Sequence, residues 1–134
     1  MTGDATWADW FQRNVNGVLY SGLPEARTPG FWDNVGQCCG TAAVAELMLS
    51  LLRLTGQGSY GELARALADD ILARATVRPD GGLEWIHAEN RNEPYWKQSY
   101  TGYVQGAAGI GSLFLRLSNP SWKVRLPDNP FPIT

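Results

Sequence analysis

The chain has 134 residues, 44% apolar and 18% charged, with a net charge of −2 at pH 7, a balance that describes one globular domain and excludes a disordered chain. With no basic surplus, general nucleic-acid binding is not expected, and two cysteines are too few for a disulfide-dense scaffold. No apolar run approaches the ~20 residues of a membrane span, and residues 1–4 lack the basic-then-apolar pattern of a signal peptide, so the expected compartment is the cytoplasm, where thiols stay reduced.

Fifteen glycines and six tryptophans are many for this length, and suggest tight helix packing and an aromatic-lined surface. In chain order, residues 5–19 carry Trp7, Trp10, Phe11, Val15 and Val18 on one helical stripe. Residues 20–35 read as a loop punctuated by Gly22, Pro24, Pro29 and Gly30 and anchored by Phe31 and Trp32. Residues 41–54 predict the strongest helix, with Ala43, Val44, Leu47, Met48, Leu51 and Leu52 in a stripe wide enough for a buried helix. Gly56 stops it. Ser59, with Glu62 three residues on, predicts a capping box for a further helix running to about residue 75, with Leu63, Leu67, Ile71 and Leu72 inward. A short hairpin is expected over 76–87, around Pro79-Asp80-Gly81-Gly82, then a polar loop over 88–101. A last helix occupies 102–117 with its leading turn. The tail 120–134 holds four prolines and is expected to be extended, with Trp122, Val124, Leu126, Phe131 and Ile133 available to dock it.

Two segments match without gaps at an offset of 66 residues: Gly36-Gln37-Cys38-Cys39-Gly40-Thr41-Ala42 and Gly102-Tyr103-Val104-Gln105-Gly106-Ala107-Ala108. Each opens as Gly-x-x-x-Gly, continues in small residues and ends in a Leu-rich run. Small residues allow a helix start to approach another backbone, and the Leu run fills a core. Units of this kind bury their faces against neighbours.

The first motif resembles the Gly-x-Cys-His-Gly-x-Ala-Gly repeat of lanthionine synthetase C-like proteins. The run Gly102-Tyr103-Val104-Gln105-Gly106-Ala107-Ala108-Gly109-Ile110-Gly111 looks like their final repeat. The resemblance implies an all-α fold, a partial α/α toroid (an incomplete α/α barrel) with a small β-hairpin. It would form a single domain over 1–134: an N-terminal helix and loop (1–35), a first repeat (36–75), then hairpin, last repeat and tail (76–134). Active members of the family hold zinc through a Cys and a later Cys-His pair. The zinc activates a Cys thiol of a dehydrated precursor peptide for addition to dehydroalanine or dehydrobutyrine, closing a thioether ring.

By position, Cys38 falls on the family's ligand Cys and Cys39 on its ligand His, so both are candidate metal ligands. A second thiolate there puts more negative charge on the ion and lowers its Lewis acidity. The resemblance covers the last repeats only, so the family's first ligand Cys and its acid/base residues have no counterpart here. The chain alone is therefore expected to lack cyclase activity and tight zinc binding, the metal entering only a completed site. Its expected partner is a precursor peptide or a second protein chain, with self-association through the face bearing Val44, Leu47, Leu51 and the first helix. A non-catalytic peptide- or partner-binding subunit, or a structural fragment completed by another chain, is the alternative.

Other candidates have blander explanations. His87, the lone histidine, reads first as a satisfied loop residue and second as a ligand or base. Glu84, Glu89 and Glu93 read as solvated carboxylates. Trp85, Tyr95, Trp96, Tyr100 and Tyr103 read as loop anchors or as the lining of a peptide groove. Gln105 stands where the first repeat has Cys39, so the last repeat carries no metal ligand at that place.

Overall fold

A computed structural model describes residues 5–26, 34–88 and 92–119. Its elements are helices α1 (Ala5–Leu19), α2 (Thr41–Thr55), α3 (Gly58–Ala73) and α4 (Ala107–Ser118), with strands β1 (Thr76–Val77), β2 (Leu83–Glu84), β3 (Ile86–Ala88) and β4 (Lys97–Ser99) between α3 and α4. The fold is all-α with small β-hairpins. None of the described helices is long and apolar enough to cross a membrane.

The centre is the α2–α3 pair. Ala42, Ala45, Met48 and Leu51 recur every third residue of α2 and are buried. Gly56, at φ 72°, ends the helix in the left-handed region, where a side chain is disfavoured, and its N–H caps the Leu52 carbonyl. A two-residue link turns the chain back, so that α3 packs along α2 through Tyr60, Ala64, Leu67 and Ile71. Ile110 and Leu113 of α4, Val15 of α1 and Trp85 close the core. Each fully buried aliphatic side chain here stabilises the fold by about 1.5–3 kcal/mol relative to exposure. Trp85 also donates its indole N–H to the Ile71 carbonyl at 2.7 Å, which pins the hairpin region to the end of α3.

One buried charge pair crosses this core. Arg116 of α4 meets Glu46 of α2, both more than nine-tenths buried. Burial pushes the Arg116 pKa down from its ordinary value.

The repeat read from the sequence is a structural repeat. Gly40 and Gly106 are the extended residues that start α2 and α4. Thr41 and Ala42 donate to the carbonyls of Asn34 and Val35, and Ala107 and Ala108 donate to those of Tyr100 and Thr101, the same bonds one offset apart. A Cβ on Gly40 would collide with the Asn34 carbonyl, and one on Gly106 with the Tyr100 carbonyl. The glycine is therefore required by the closeness of the preceding strand of chain in both copies.

Several expectations are corrected. The capping box at Ser59 is absent: α3 starts at Gly58 after Gln57, with no side-chain cap, and Ser59 Oγ accepts from Gln57 Nε2 instead. The reason is local: α2 ends so tightly at Gly56 that α3 begins a residue before the serine. Leu72 is half exposed, because Ala64 and Ala68 take the buried angle that the Leu pattern left unassigned. The β1–β2 hairpin forms with Thr76 opposite Glu84. The loop expected over 88–101 contains a second strand pair, with His87 opposite Gln98. Leu51 belongs to the core rather than to an open face, and Val44 packs partly against that core. Trp7, Trp10 and Phe11 stand exposed on α1 while Val15 is buried. Phe31, Trp32, Glu89 and the tail 120–134 lie outside the described residues.

Candidate functional site

The Gly-x-x-x-Gly turns of the two repeats touch each other. The backbone N–H groups of Gln37 and Cys38 both donate to the Val104 carbonyl, at 2.8 and 3.0 Å. Gln37 reaches further and donates its amide to the Gly109 carbonyl at 2.9 Å. Asn34 organises the join. Its Oδ1 accepts from the Gly36 N–H at 2.7 Å, and its Nδ2 donates to Gln105 Oε1 at 3.0 Å and to Cys39 Sγ at 3.5 Å.

Cys38 and Cys39 therefore sit on a turn held from beneath by the last repeat, immediately before α2. Both are exposed residues. An amide donor on a ligand sulfur is the kind of outer contact that orients metal ligands, and Asn34 supplies one to Cys39.

His87 lies on the other side of Gln105. Its Nε2 donates to the Gln105 carbonyl at 2.8 Å, and its ring stacks at a tilt against Tyr100, centroids 5.4 Å apart. At 1% exposure it faces no solvent. A chain of contacts thus runs Cys39, Asn34, Gln105, His87. The histidine thus supports, through Gln105, the turn that supports the thiols.

The remaining candidates are dispersed. Glu84 is half-buried in β2, and Glu93 is exposed in the turn before β4. Trp85 is a core anchor, Tyr95 and Trp96 are exposed, and Tyr100 and Tyr103 are half-buried near His87 and the second turn. Sequence reasoning missed Asn34, since it lies in a segment read only as loop. The repeat offset holds a signal for it: Asn34 precedes Gly40 by six residues, as Tyr100 precedes Gly106, so both begin the segment that pairs with a helix start.

Two adjacent cysteines on an exposed turn are donors that zinc takes, and they fit two of the ligand positions of a catalytic zinc site. A catalytic zinc usually has three protein ligands. Among the described residues, no three His, Cys, Asp or Glu side chains gather where they could hold a metal ion.

No curated protein and no solved structure matches the chain. The family model described as lanthionine synthetase C-like protein matches residues 21–128. That span takes in both repeats, the hairpins and the thiol turn, and with the paired Gly-x-x-x-Gly turns it places this chain in the lanthionine synthetase C-like family.

Proposed function

We propose that the chain is the C-terminal part of a lanthionine synthetase C-like peptide cyclase, and that Cys38 and Cys39 are two of the protein ligands of its zinc. The observation that carries this reading is the thiol turn itself: both cysteines are exposed residues, and the turn is fixed by the last repeat through Val104, Gln105 and Asn34. Bound there, zinc would supply a Lewis acid that holds a substrate cysteine as thiolate. The residues of this chain bind and orient; the acid/base residues and the remaining ligand come from outside the described residues. The substrate is a dehydrated precursor peptide, and the compartment is the cytoplasm.

Competition against a chromophoric chelator tests the ligand assignment. The expected result is zinc binding weaker than at a complete three-ligand site, abolished in Cys38→Ala/Cys39→Ala. Zinc affinity unchanged by the double substitution overturns the assignment. Ring closure on a dehydrated peptide by the chain alone overturns the need for completion.

A second reading is favoured by a different observation. Trp7, Trp10 and Phe11 are all more than half exposed on one side of α1. That supports a non-catalytic subunit or structural piece docked on another chain, in which the thiol turn has no chemical role.

A further inference from the structure

A small cavity opens where α2, α3 and α4 meet, roughly 15–20 Å along the α2 axis from the thiol turn at 1.5 Å per residue. Its volume is about 80 Å³, and its walls include Leu49, Leu52 and Leu117 with Arg53, Arg65 and Arg116. A buried water needs about 10–15 Å³ of such space. The cavity therefore takes several waters or one small oxyanion, and is too small for a nucleotide.

Three arginines line this opening. Arg116 is nine-tenths buried and meets Glu46. Arg53 and Arg65 are exposed. Neither has an ion pair or hydrogen bond among the described residues. Arg53 and Arg116 lie in the last turns of α2 and α4, where helix dipoles favour cations. That accounts for their place on the helices. It does not account for Arg65, in the middle of α3, lining the same opening. Three cations against the single carboxylate of Glu46 leave two positive charges unmatched around a concave, partly apolar site. Guanidinium forks fit the oxygens of phosphate bidentately, and the unmatched charge equals that of a phosphate dianion.

We propose that the Arg53–Arg65–Arg116 cavity binds a dianionic phosphoryl group, either free phosphate or the head of a small phosphate monoester. This site is separate from the thiol turn and does not depend on the zinc reading.

The test uses the full chain and inorganic phosphate at constant ionic strength set with sodium chloride. Side-chain Nε–H signals of the arginines are followed by NMR beside the melting temperature. Saturable shifts of Arg53, Arg65 and Arg116 and a rise in melting temperature are expected. Arg53→Gln/Arg65→Gln should weaken binding about tenfold or more and leave the phosphate-free melting temperature unchanged, because both side chains are exposed. Glycerol phosphate distinguishes the sources: binding as tight as phosphate assigns a monoester, and binding of phosphate alone assigns the free ion. Shifts that only track ionic strength, an equal response in the double variant, or equal binding of acetate would overturn the proposal.

Discussion

A Cβ on Gly109 would overlap the Tyr103 carbonyl oxygen and stand 2.6 Å from Cγ of Gln37. Gln37 in turn donates to the Gly109 carbonyl, so one residue receives both repeats. A backbone carbonyl gives way less readily than a flexible side chain, and overpacking typically costs ~1–3 kcal/mol or more. Gly109→Leu should therefore lower the melting temperature by several degrees, whereas Glu93→Ala, at an exposed turn, should leave it within about a degree. Equal losses from the two, measured by thermal denaturation, would remove the packing role of Gly109. At this scale the small-residue run was legible in the sequence only as a whole. Gly106 and Gly109 meet backbone, but Ala108 is exposed and a Cβ on Gly111 would meet nothing within 4 Å. Composition says that a close approach occurs; which residue makes it depends on the angle at which α4 leaves its turn. Cys38 and Cys39 were legible by motif. Asn34 and the Glu46–Arg116 pair were not, since each joins residues about 70 apart and neither forms a local pattern.

At the scale of elements, helical period was the reliable signal. The stripe on residues 5–19 matches α1 residue for residue. What the stripe could not say is what covers it. Val15 is buried and Val18 and Leu19 pack on the core, yet Trp7, Trp10 and Phe11, on the same stripe, are exposed. The β3–β4 pair escaped detection for the opposite reason. Lys97-Gln98-Ser99 shows no alternation of apolar and polar residues and is exposed throughout; its strand state comes from pairing with β3. Contacts also rank the helices by local stability. The α2–α3 pair is packed along its length, while among the described residues α1 meets the core through Val15, Val18 and Leu19 of its C-terminal half. Native-state hydrogen exchange should find the slowest amides in α2 and α3 and fast exchange over the first two turns of α1. Protection of residues 5–11 equal to that of α2 would show that these turns are covered.

At the scale of the whole molecule, the described residues leave an edge. In a layered helical repeat each unit buries its faces against neighbours, and here α2 is covered by α3 and α4. The side toward α1 is different. Trp7, Trp10 and Phe11 are 68%, 56% and 51% exposed, and Leu47 is 40% exposed. The only charges on α1 are Asp9 and Arg13, and these pair with each other at 2.8 Å, Arg13 also lying over the Trp10 ring. They screen little of the aromatic area. Three neighbouring aromatic side chains of this kind make a patch of several hundred Å2, the size of the largest apolar patches on soluble proteins, which are often interaction sites. The chain is therefore expected to self-associate, or to dock on another chain, through the aromatic half of α1. Light scattering at micromolar concentration should give a mass above the 14.7 kDa of one chain. Trp7→Glu/Trp10→Glu should return the mass to that of the monomer without lowering the melting temperature of the α2–α3 core, because both side chains are more than half exposed. A wild-type monomer with a single cooperative melt would overturn the expectation. The aromatic half of α1 would then have to be sealed from within the same chain.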